Sequence, residues 1–218
     1  MNQTIQQLTV YALPLLFGIT LHEAAHGFAA RYFGDNTAYM MGRVSLNPAR
    51  HIDPIGTILI PGLLLALGSP FLIGYAKPVP VNFGALRNPR RDMVWVALAG
   101  PASNFVQAFG YGLAFMLLRS FGVHEAFFLD VATAGVQVNL LLFVFNLFPI
   151  PPLDGGRVLQ GLLPVRQAIA LSRVEPYGFF VVMALVLSGI ANSIWLIPLM
   201  GLSQTLLGLL LSPFRMFL

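Results

Sequence analysis

The feature that most constrains this chain is the recurrence of apolar runs about as long as a bilayer is thick. A helical span needs roughly 20 apolar residues, each rising about 1.5 Å across about 30 Å of hydrocarbon. Candidate runs fall near 8–33, 55–74, 92–119, 126–149, 177–191 and 194–213. Only 9% of the residues are charged and 57% are hydrophobic, where a soluble domain carries about 25% charged residues. So few charges cannot cover a water-facing surface. The sequence therefore predicts an all-α, polytopic membrane protein. It reads as a single membrane-embedded domain over 1–218 with five to six hydrophobic segments. Cysteine is absent, which excludes disulfides and thiolate metal sites. The first residues, MNQTIQQ, hold no Lys or Arg, so the first run reads as a retained span rather than a signal peptide.

The segment 55–74 is irregular. Pro54, Pro61 and Pro70 alternate there with Gly56, Gly62 and Gly68, which reads as a broken span or a re-entrant segment. Basic residues favour the cytoplasmic side of short loops. With re-entry, ten of the twelve Lys and Arg residues fall on one face, and the N-terminus lies outside the cytoplasm. The net charge of +4 is then a matter of topology, and no nucleic-acid partner is expected.

The polar residues of the first run carry the chemistry. TLHEAAHGF, residues 20–28, places His22 and His26 four apart, on one helix face and one turn from each other. Two imidazoles so spaced can hold one zinc ion, with Glu23 beside them to take a proton from water, the logic of H-E-x-x-H. The other reading is a polar patch on a helix. Ionisable groups in hydrocarbon cost on the order of 2.5–3.5 kcal/mol each, so three together argue for a bound cation. A catalytic zinc usually takes a third protein ligand. His51 and His124 read as surface histidines. Asp154 stands out at the end of NLFPIPPLDGGR, residues 146–157. Pro149, Pro151 and Pro152 break the preceding helix and extend the backbone, and Gly155 and Gly156 permit a sharp turn. Such a segment can bring one carboxylate to a metal on a neighbouring helix. It can equally use Asp154 as a helix cap.

HEAAH in the first core span, paired with NLFPIPPLDGGR, resembles the site-2 protease family of intramembrane zinc metalloproteases. ALAGPASNF, residues 97–105, is similar to that family's G-x-x-x-N segment in the middle core span. GYAKPVPVN, residues 74–82, resembles a loop of compact bacterial and archaeal members. The likeness covers about Leu8 to Gly161. It implies a core of three transmembrane helices carrying the metal site. It also implies one Zn2+ per chain on His22, His26 and Asp154, with Glu23 as catalytic base. Asn146 and Asn104 fall on asparagines of the family's motifs and could stabilise an oxyanion or hold substrate backbone. Their other reading is hydrogen bonding between helices, the reading also given to Asn139 and Gln137. No PDZ or CBS domain is expected within these residues.

The expected reaction is hydrolysis of peptide bonds in or near transmembrane segments of single-span or other membrane proteins, in a prokaryotic cell membrane. Lys77, Pro78, Val79, Pro80 and Val81 read as an extended edge on which an unwound substrate could add as a strand. MGRVSLNP, residues 41–48, reads as a short strand able to pair with that edge, and membrane lipid is expected against Arg43 and Arg50. A metal-binding transporter or an inactive scaffold of the same fold is the alternative. The substrate and the oligomeric state have no mark in the sequence.

Overall fold

The structure is a computed structural model that describes residues 3–59, 63 and 77–217. Helix α1, Gln3–Tyr32, is 30 residues long, which at about 1.5 Å per residue is about 45 Å of helix. It ends where Gly34 takes a φ of +111°. The Gly34 N–H then reaches Arg31 O at 3.1 Å and the Asp35 N–H reaches Ala30 O at 2.9 Å, closing the last carbonyls as a Schellman cap does. A four-residue helix, α2, Thr37–Met40, follows.

Helix α3, Pro89–Ser120, opens with proline in its first turn, where the missing N–H costs nothing. The Asp92 carboxylate accepts from the Asn88 N–H at 2.7 Å and fixes the entry. Helix α4, Ala126–Asn146, packs against both α1 and α3. After the turns of residues 147–153, with a cis bond between Pro151 and Pro152, helix α5, Asp154–Leu162, runs back along α3. Helices α6, Val165–Ser172, and α7, Glu175–Leu187, are bent by 72° from one another. A π-helical turn, Asn192–Leu196, leads into α8, Ile197–Leu211.

Among the described residues, two stretches are long and apolar enough to cross a membrane, Ala126–Asn146 and Asn192–Phe214, and the bent α6–α7 pair makes a third if it is one span. Their apolar side chains face outward: Phe180 is 70% exposed and Leu209 is 65% exposed. An apolar surface of that extent belongs in lipid rather than in water.

Three expectations are corrected here. No strand is formed among the described residues, so neither 41–48 nor 77–82 is part of a ladder. The reason is a shortage of donors. Pro78 and Pro80 carry no N–H, and the N–H groups of Val79 and Asn82 are taken by the carboxylates of Glu23 and Asp35. Gly155 and Gly156 make no sharp turn; they lie inside α5. They are needed for close approach, because a Cβ on Gly155 would sit 2.1 Å from Leu147 O and one on Gly156 would sit 2.2 Å from Pro151 N. His51 is no surface histidine: it is 2% exposed, with Nε2 2.8 Å from Ser45 O. Most of the irregular segment 55–74, and residues 74–76 of the loop after it, lie outside the described residues. Its first part, Pro54–Leu59, forms a π-helical turn.

Candidate metal centre

The i, i+4 spacing on α1 brings the two imidazoles together, with His22 Nε2 and His26 Nε2 3.1 Å apart. Asp154, the first residue of α5, joins them. Its Oδ2 lies 3.2 Å from His22 Nε2 and its Oδ1 lies 3.3 Å from His26 Nε2. Helix α5 has no side-chain cap, so Asp154 is not spent on capping.

The hydrogen bonds behind the rings fix their tautomers. His26 Nδ1 is 2.7 Å from the Val96 carbonyl oxygen, which can only accept. His22 Nδ1 is 2.6 Å from Asn104 Oδ1. That amide cannot be flipped: Asn104 Nδ2 donates to Gly18 O and to Asn139 Oδ1, both at 3.0 Å. Asn139 is held in turn by donating to Gly135 O at 3.0 Å. Both imidazoles therefore carry a proton on Nδ1, and in the neutral form each presents Nε2 as a lone pair.

In that form two lone pairs and a carboxylate face one another. Asp154 Oδ2 is buried and receives no hydrogen bond. Such a cluster repels itself unless a cation lies among its atoms. Ligand atoms at about 2.0–2.1 Å from a tetrahedral zinc stand roughly 3.3 Å from each other. The spacings of 3.1, 3.2 and 3.3 Å match that edge length. The residues present thus fit a divalent metal with nitrogen and oxygen ligands.

Helix α3 reaches the rings because Gly100 has no side chain. A Cβ there would lie 2.3 Å from His26 Nε2 and 2.7 Å from His22 Cε1. Gly100 and Asn104 are the fixed positions of the G-x-x-x-N stretch, and their work is now plain. The glycine permits the approach and the asparagine takes the Nδ1 proton one turn later. Asn104 is fully buried behind His22, so its amide does not face the space a substrate would enter, unlike the oxyanion role expected of it. Asn139, read from the sequence as packing, completes the same chain of bonds.

In front of the rings lies a cavity of about 320 Å3, lined by His22, Glu23, His26, Asn146, Asp154 and Arg157 together with apolar side chains. The apolar wall includes Pro78, Val79 and Val81 from the 77–82 loop and Phe83 just beyond it. Glu23 Oε2 accepts from the Val79 N–H at 2.7 Å, so the loop is tied to the helix that carries the histidines. Asn146 donates to Leu142 O at 3.0 Å, within its own helix. Arg157 pairs with Glu175 and lies over the Phe83 ring, 5.1 Å from its centroid. Lys77 and Pro80 are not among the lining side chains.

A helical membrane protein built around a buried two-histidine, one-carboxylate cluster is the class that fold and site define. The comparisons agree. The model of peptidase family M50 matches residues 124–189. YwhC of Bacillus subtilis, named as a candidate zinc metalloprotease, is 39% identical over 183 residues, 79% of this chain and 78% of that protein. Rip2 of Mycobacterium tuberculosis, named in the same way, is 32% identical over 197 residues, 88% of this chain and 74% of that protein. Its Mycolicibacterium smegmatis counterpart is 34% identical over 180 residues, 81% of this chain and 66% of that protein. No solved structure matches. The chain belongs to peptidase family M50, the site-2 protease family, and is a membrane protein.

Proposed function

We propose that the chain is a multi-pass zinc endopeptidase that hydrolyses peptide bonds of membrane-protein substrates within or beside the bilayer. The observation that carries this is the convergence of His22 Nε2, His26 Nε2 and Asp154 on one point, with Glu23 on the wall of the same cavity. The names of the relatives support zinc as the metal. His22, His26 and Asp154 hold it, one ion to a chain. When bound, zinc supplies Lewis acidity toward a substrate carbonyl and toward water. Glu23 accepts the proton of the attacking water and returns it to the leaving amine. Asn146 donates one amide hydrogen to Leu142 O, and its second hydrogen is available to a carbonyl oxygen or oxyanion. The apolar wall of Pro78, Val79, Val81 and Phe83 suits the side chains of an unwound transmembrane segment. The substrate is a single-span or other membrane protein of a prokaryotic cell membrane, and the basic loops face the cytoplasm.

The test is cleavage of a single-span substrate in liposomes by wild type and by Glu23→Gln. The expected outcome is loss of cleavage with zinc content unchanged. Equal cleavage by the variant would remove Glu23 as the base.

A further inference from the structure

A second polar cavity, of about 480 Å3, shares no lining residue with the metal cavity. Its charged lining is Arg43, Arg50 and Lys77, with no acidic side chain among the lining residues. The two guanidinium groups are held in position by backbone carbonyls. Arg43 Nη1 donates to Arg50 O at 2.7 Å and its Nη2 to Lys77 O at 3.0 Å. Arg50 Nη1 donates to Gly42 O at 2.7 Å. Carbonyls orient a cation without neutralising it. Each guanidinium has five N–H donors, so both have donors left for another acceptor.

Three like charges around one cavity repel, and an anion with several acceptor oxygens relieves that repulsion. Guanidinium forks match phosphate oxygens in pairs, and an ammonium adds a point charge beside them. We propose that this cavity binds a phosphate-bearing anion, either the headgroup of an anionic phospholipid or free phosphate. Two of the carbonyls that position Arg43, those of Lys77 and Pro78, belong to the strap that borders the metal cavity. Lys77 O receives Arg43, and two residues on, the Val79 N–H is bonded to Glu23. An anion seated against Arg43 and Lys77 therefore stiffens residues 77–79. Neither statement depends on the peptidase reading.

The test titrates the detergent-purified full chain with dioctanoyl phosphatidylglycerol, dioctanoyl phosphatidylcholine and inorganic phosphate. Wild type is run beside Arg50→Gln/Lys77→Gln and beside Arg50→Lys. The expected result is saturable binding of phosphatidylglycerol, inorganic phosphate or both, weakened roughly thirtyfold in the double variant. Arg50→Lys keeps the charge but not the fork and should lose less. Binding of both ligands identifies the phosphate group itself as the thing recognised. Binding of phosphatidylglycerol alone identifies the lipid as the source, and binding of inorganic phosphate alone identifies the free ion. Equal affinity for phosphatidylcholine, undiminished binding by the double variant, or no binding of any of the three overturns the site. Should the double variant fail to fold, Arg50→Gln alone carries the test, with roughly fivefold weakening expected. An unchanged affinity there overturns the site as well. Slower hydrogen exchange at the Val79 amide on binding is the local readout, and binding without it overturns the link to the strap.

Discussion

The two sides of the His22–His26 pair are built by different means. Behind the rings, helices α3 and α4 press close, and the polar atoms there are joined side chain to side chain and side chain to carbonyl in a buried chain. In front, a short strap from residue 77 to 82 belongs to no helix or sheet. It is held by side chains reaching into its backbone: Arg43 to its first carbonyls, Glu23 to the Val79 N–H, and Asp35 to the Asn82 N–H at 2.7 Å. Helix packing cannot yield in small steps, because close-packed side chains leave no slack. A strap held by single hydrogen bonds can, since each is worth only about 0.5–1.5 kcal/mol net. One wall is suited to holding a metal and the other to admitting a chain.

The largest effect expected is from Gly100→Ala. The new methyl would fall on both imidazoles, so the purified variant should carry no zinc, measured as metal per chain. If it loads zinc normally, the rear wall is softer than described. Asp154→Ala comes next. It removes the one ligand from α5, and most of the bound zinc should be lost. Zinc retained in that variant would return His51 to consideration, although its ring is 2% exposed and turned to Ser45 O.

Asn139→Leu tests the rear wall at its remotest point. It removes one of the two acceptors that hold the Asn104 amide, leaving Gly18 O, while touching neither imidazole. Zinc should dissociate about tenfold faster, in keeping with the cost of removing an outer hydrogen-bond partner. Asn139→Asp keeps the acceptor for Asn104 but loses the donor to Gly135 O, so it should restore the retention only in part. The front wall should respond least. Asp35→Ala removes the carboxylate that accepts from Asn82, a bond worth about 0.5–1.5 kcal/mol net. Amide exchange across 79–82 should rise while zinc content stays near wild type. If zinc falls as far as in Asn139→Leu, the two walls are not independent.

Much of this was legible before any coordinates. The i, i+4 histidines and the glutamate between them were visible because helical spacing is a local rule. The boundaries of α3 were close to legible too, since Pro89 and Gly122 punctuate a long apolar run. The roles of Gly100 and Asn139 were not, because each depends on which neighbouring helix comes close and at what height. Burial of Asp35 and His51 was hidden for the same reason: both look like loop residues until the loop folds against α1. The strands expected at 41–48 and 77–82 came from alternation alone. Alternation says nothing about whether the N–H groups are already engaged. The turn expected at Gly155–Gly156 read glycine as freedom, where the structure uses it as absence of volume.

The chain of bonds from Gly135 to His22 has a consequence for how α3 and α4 may move. Asn139 takes its orientation from a carbonyl on α4, Asn104 copies that orientation on α3, and His22 on α1 reads it as the location of its single proton. Sliding α4 by one helical turn, about 5.4 Å, would take the Asn139 clamp from Asn104 and leave only Gly18 O to hold the amide that faces the imidazole. The register of two helices is in this way translated into the address of a hydrogen atom, and a mechanical shift far from the cavity would be felt there as a change in basicity.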